Sequence, residues 1–120
     1  MHNAAQTYGS VAKQIANPRE LEAQLLLKAA ARLQSVKDAW DNQRHDLGDA
    51  LLYNRKLWTV LLAAVASEDN PLPAPIRQNV VNLGLFVMNR TIEVTSEPAP
   101  ERLASLILIN RELAAGLLGR

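Results

Sequence analysis

The chain has no cysteine, and its 120 residues include only two histidines, two tryptophans, two tyrosines and one phenylalanine. Without thiols there can be no disulfide, no thiolate metal site and no cysteine nucleophile, so apolar packing alone must hold the fold. His2 and His45 lie in polar stretches, with no second histidine at ligand spacing. The acids around His45, namely Asp41, Asp46 and Asp49, read as a solvated hinge of mixed charge and not as an acid–base pair. Gly48, Gly84 and Gly116 stand alone inside helical runs, so no glycine-rich phosphate loop is present, and Gly48 and Gly116 are expected to allow close helix packing. Thirteen basic residues against twelve acidic ones leave a net charge of +1, too little for the electrostatic footprint of a nucleic-acid binder. The stretch Gln78 to Asn89 is uncharged, but it is far shorter than the ~18 apolar residues of a membrane span. The first residues have neither a basic start nor an apolar run, which argues against a secretory signal and for a cytoplasmic protein. The expectation is therefore no enzyme, no cofactor, no metal and no membrane span.

What the chain does have is helical periodicity. At 48% hydrophobic and 21% charged residues it is globular in composition, and its length suits one domain with a self-supporting core. Tyr8, Val11, Ala12 and Ile15 recur at i, i+3, i+4 and i+7, predicting a short docking helix over about residues 4–16. Asn17-Pro18-Arg19-Glu20 is a helix start, with a cap, a proline of preset φ and an acid three residues after the cap. A long helix follows, with Leu21, Leu25, Ala29, Leu33, Val36 and Trp40 on one stripe. After a polar hinge at residues 41–46, Leu47, Leu51, Asn54, Trp58, Leu61 and Val65 mark the next helix. Proline-rich connectors at about residues 70–75 and 96–100 cannot continue a helix. They bound two further helices, over about residues 75–94 and 100–118. No β-type alternation is visible, so the fold class is an all-α single domain over residues 1–120, a bundle of four to five helices.

Two features point outward from that bundle. The last two helices are apolar around much of their circumference, which suits either a central position or a groove that takes an amphipathic helix from a partner. In addition, an Asn-Arg pair recurs inside apolar runs, at Asn54-Arg55, Asn89-Arg90 and Asn110-Arg111. A desolvated amide without a partner costs about 1–3 kcal/mol. These asparagines therefore read either as internal hydrogen-bonding groups or as polar reading points for a partner. With aromatics so scarce, Trp58 and Phe86 are each a core anchor or an interface hot spot. The candidate partner-binding residues are Asn54, Arg55, Trp58, Phe86, Asn89, Arg90, Asn110 and Arg111.

Several blocks taken together resemble a known family. They are Tyr8 with Ala12-Lys13, Asn54-Arg55-Lys56-Leu57-Trp58, Asn70-Pro71-Leu72-Pro73, Asn82-Leu83-Gly84-Leu85-Phe86-Val87, Asn89-Arg90-Thr91, and Ile109-Asn110-Arg111-Glu112-Leu113-Ala114-Ala115-Gly116-Leu117. The chain resembles the FlaF flagellar biosynthesis regulators of α-proteobacteria nearly end to end. That resemblance implies a non-enzymatic factor for flagellin synthesis and export, with flagellin as its partner and the regulator FlbT as a second candidate. The expected mechanism is chaperone-like capture of flagellin. The alternatives are post-transcriptional action on flagellin messenger RNA, directly or with FlbT, and a helical homodimer with no helical client.

Overall fold

The computed structural model describes residues 18–119, so the expected N-terminal helix and the Asn17 cap lie outside the described residues. Four long helices make up the described chain: α1 (Pro18–Asp38), α2 (Leu47–Ala66), α3 (Ala74–Ser96) and α4 (Ala104–Leu117). The expected polar hinge is a single helical turn at Trp40–Gln43 followed by a 3-10 turn at Arg44–Asp46. No strand occurs among the described residues, and the fold is all-α.

Local chemistry explains the boundaries. Pro18 opens α1, where a missing N–H costs nothing because the first turn has no acceptor for it. At the end of α2, Asn70 folds back: its Nδ2 donates to the Ala64 carbonyl at 3.0 Å and its Oδ1 accepts the Leu72 N–H at 2.9 Å. That one side chain adds a second hydrogen bond to the Ala64 carbonyl, which also accepts the Ser67 N–H at 3.2 Å, and starts the proline connector. Pro75 occupies the first turn of α3. The second proline pair ends in a 3-10 turn, Pro100–Leu103, that leads into α4. Gly119 then leaves the helix at φ 77°, a left-handed conformation that favours glycine.

α1 is the hub of the bundle. Its most extensive packing is against α4, and it also packs along α2, while α3 leans mainly on α2 and touches α4 only sparingly. The buried face of α1 consists of Ala23, Leu26, Ala29, Ala30, Leu33 and Val36. Leu21 and Leu25, expected on that stripe, are only half-buried at its margin. The alanines let neighbouring helices approach, and Leu103, Leu106 and Ile107 join them in one continuous core.

The glycine expectation is corrected. Gly48 and Gly116 have nothing within 4 Å of where a Cβ would sit, whereas a Cβ on Gly84 would lie 2.5 Å from Leu62 Cδ2. Close approach between α2 and α3 is therefore made at Gly84, opposite a leucine, while the other two glycines face open space.

Candidate partner-binding surface

The repeated Asn-Arg pairs serve different ends. Asn54, Trp58 and Asn110 are fully buried at 0% exposure. α2 carries the first two one turn apart, and α4 brings Asn110 against them. Trp58 Nε1 donates to Asn110 Oδ1 at 2.9 Å, and Asn110 Nδ2 donates to Asn54 Oδ1 at 2.6 Å. Asn110 Nδ2 also lies 3.5 Å from the Leu26 carbonyl of α1, at the limit of a hydrogen bond. Three helices are thus pinned by one amide, which fixes their register far more narrowly than aliphatic contacts can. The Asn54 Nδ2 has no partner, the single unmet group of the cluster. Reading these three as partner contacts is therefore corrected. They hydrogen-bond one another within the core and present no surface to a second molecule.

The other five candidates are reachable but do not converge. Phe86 is 42% exposed, with the Arg90 guanidinium 5.4 Å from its ring centroid. Arg90 Nη1 in turn donates to Glu93 at 3.0 Å. Asn89 is exposed on the outer side of α3, away from the core. Arg55 borders a hollow of about 390 Å³ between α2 and α3, together with Met88 and Ile92. Arg111 faces the opposite flank of the bundle, where its Nη2 reaches Gln34 of α1 at 3.4 Å.

The concave apolar feature lies elsewhere, where α3 and α4 stand apart. A trough of about 570 Å³ runs between them, with Ile76 and Leu83 of α3 on one wall and Ile109, Leu113 and Leu117 of α4 on the other. Leu72 of the proline connector closes one end, and Arg19, Asn79 and Glu112 supply its polar groups. A cleft of this size and lining is typical of a binding site. Helical spacing sets Phe86 and Arg90 along the same side of α3 as Asn79 and Leu83, so they extend that wall by up to two turns.

The trough walls were legible as apolar stripes that suit either a central position or a groove. What the sequence does not show is that α3 and α4 diverge. The apolar surplus also falls mostly on α3, where Ile76, Leu85, Phe86 and Ile92 are exposed, while α4 exposes only Leu108 among its large apolar residues. Near the trough, burial pushes the Glu22 carboxyl above its ordinary range, and Arg19 pulls it the other way.

Among the described residues no cluster of three or more His, Cys, Asp or Glu side chains could hold a metal, and no helix is long and apolar enough to cross a membrane. No curated protein and no solved structure matches the chain. A family model described as flagellar protein FlaF matches residues 4–117, nearly the whole length and all of the bundle, and the chain belongs to that family.

Proposed function

We propose that this flagellar protein is a non-enzymatic factor that promotes flagellin synthesis and export by binding newly made flagellin in the cytoplasm. In this reading the α3–α4 trough receives an amphipathic helix from the end of a flagellin subunit, a segment that would otherwise self-associate. The observation that supports it is an open apolar cleft walled by two helices that barely pack on each other. Leu83, Ile109, Leu113 and Leu117 are half-buried in the free chain. Completing the burial of such side chains contributes about 1 kcal/mol each. Phe86, part-exposed under a guanidinium, is the kind of aromatic that anchors interfaces. A near-neutral net charge of +1 favours apolar capture of a protein over contact with RNA. An effect on flagellin translation then follows indirectly, by titration of flagellin or through FlbT.

Calorimetric titration of the full chain with monomeric flagellin tests this. A saturable complex that persists at raised salt, and weakens in Leu113→Asp and Phe86→Ala, supports the reading. No detectable complex at a protein concentration of about 100 μM, where the affinity scale still registers weak binding, would reject it.

A further inference from the structure

The α2–α3 contact carries an apolar strip of its own, on the side of α3 away from the trough. Two hollows of about 210 and 390 Å³ meet there and share Arg55, Thr91 and Thr95 in their linings. Leu52 of α2 is 38% exposed and Ile92 of α3 is 65% exposed at their rims, while Met88 lies half-buried in the larger one. The hydroxyls nearby are spent. Thr91, Thr95 and Thr59 each donate to the carbonyl four residues back in their own helix, at 2.7, 2.8 and 2.9 Å, so they bring no free donor to the groove. Gly48 lines the smaller hollow with nothing within 4 Å of where a Cβ would sit, which leaves that end open. Helical spacing carries the strip from Met88 and Ile92 to Leu85, 57% exposed, and on to Arg77, which lies on the same side of α3 as Met88 and Thr95.

Charge along this strip has one sign. Neither hollow has an acid in its lining, and no Asp or Glu occurs between Asp49 and Glu68 or between Asp69 and Glu93. Its charged groups are Arg55 and Arg77, and among the described residues neither guanidinium has a hydrogen-bond or ion-pair partner. The Arg77 Nε is buried without one. We propose that the α2–α3 groove is a second docking site, for an amphipathic helix of another protein whose apolar seam is flanked by carboxylates. Arginine is the residue best shaped to take a carboxylate through two parallel hydrogen bonds. Arg55 is level with Thr91 in the shared hollows, so the two arginine positions stand about 21 Å apart along α3. A helix that meets both carries its acids about four turns apart. A second copy using the same face would set arginine against arginine. A flat lipid surface would reach Ile92 and Leu85 but not the buried Thr91 beneath them, whereas the side-chain ridge of a helix fits between two helices. Ile76 and Leu83 line the trough, and Met88 and Ile92 line this groove, so the site does not rest on the flagellin reading and both can be filled at once.

Methyl spectra of the full chain test this, with a synthetic leucine-seamed amphipathic helix flanked by glutamates as the probe and its lysine-for-glutamate counterpart as the control. Leu52, Leu85, Met88 and Ile92 should shift saturably with the glutamate peptide, while Leu113 and Leu117 stay fixed and the lysine peptide has no effect. Arg55→Glu and Arg77→Glu each exchange an attraction for a repulsion and should weaken binding about tenfold. The chain with both substitutions should instead take the lysine peptide. Ile92→Asp, at an exposed position, should abolish binding without unfolding the chain. Equal binding of the two peptides, shifts confined to the trough methyls, or no shift at about 1 mM peptide overturns the proposal. So do the same shifts produced by raising the concentration of the chain alone, which assign the groove to a second copy. Shifts with phosphatidylglycerol vesicles but not with the glutamate peptide overturn it in favour of a lipid surface.

Discussion

The interior amide cluster and the α3–α4 trough are built from overlapping sequence motifs yet obey opposite physics. In the cluster, Asn54, Trp58 and Asn110 are sealed from water and hydrogen-bond one another between α2 and α4, with only the Asn54 Nδ2 left unmet. In the trough, aliphatic side chains that would serve equally well as core are left part-exposed because α3 follows α2 instead of closing on α4. Polar residues inside and apolar residues outside invert the usual arrangement, and each inversion has its own reason. The first specifies which helices pair and in which register. The second leaves a surface with unspent hydrophobic free energy.

If that division is right, substitutions in the two regions should separate stability from binding. The largest loss of stability is expected from Asn110→Ala, which opens a cavity and strips partners from both the Trp58 N–H and the Asn54 carbonyl oxygen. About 3 kcal/mol should be lost, lowering the melting temperature by on the order of 10 °C. Asn54→Ala should cost less alone. In a double-mutant cycle the pair should be clearly non-additive, because the two amides share one hydrogen bond. Additive losses would mean that the cluster is three separate contacts.

Gly84→Ala probes the α2–α3 contact on which the trough geometry rests. Alanine gains about 1 kcal/mol of helix propensity over glycine, but its Cβ collides with Leu62, and overpacking of that kind costs about 1–3 kcal/mol. A net loss near 1 kcal/mol in urea unfolding is expected, and restored stability in Gly84→Ala with Leu62→Ala would assign it to that collision.

Trough substitutions should do the reverse. Leu113→Asp should reduce flagellin affinity at least tenfold, the equivalent of losing one apolar anchor at about 1.5 kcal/mol, with a smaller change in melting temperature than Asn110→Ala. Phe86→Ala should follow the same pattern, with stability changed by about 0.5 kcal/mol or less. Arg111→Ala should leave affinity unchanged, since its guanidinium reaches Gln34 on the opposite flank. An Arg111 effect as large as that of Leu113 would move the binding surface to the α1–α4 side.

The fold was more legible than the site, and particular residues show why. Helix ends are written locally: Pro18 and Pro75 fall within a residue of the starts of Pro18–Asp38 and Ala74–Ser96, while Asn70 and Pro100 lie four residues from the Ala66 end of α2 and the Ala104 start of α4. Periodicity also placed Asn54 and Asn110 on apolar stripes. That Asn54 and Asn110, 56 residues apart, would meet each other and not a partner is a long-range fact, and no local pattern encodes it. The trough was legible only as one of two readings. Ile76, Leu83, Leu113 and Leu117 suit a central position as well as a groove until it is known that α3 packs mainly on α2 and only sparingly on α4.

The smallest expected effect sits on α1 at the boundary between the two regions. Burial raises the Glu22 carboxyl above its ordinary value of 4.5, and Arg19 offsets part of that rise. An acid raised in the folded state binds its proton more tightly there than in the unfolded chain, so stability falls as pH rises from 4.5 through the raised value. Glu22→Gln removes the charge that burial penalises. It should therefore raise the melting temperature slightly at about pH 7 and leave it unchanged at about pH 4, where the wild-type carboxyl is largely protonated in both states. The helix dipole opposes this only weakly, because Glu22 lies past the first turn of α1, where attraction to the N-terminus has fallen off. Thermal melts at the two pH values decide the sign. A variant less stable at neutral pH would show that the Arg19 attraction outweighs burial, and that the trough end of α1 is held electrostatically like a surface and not packed like the interior.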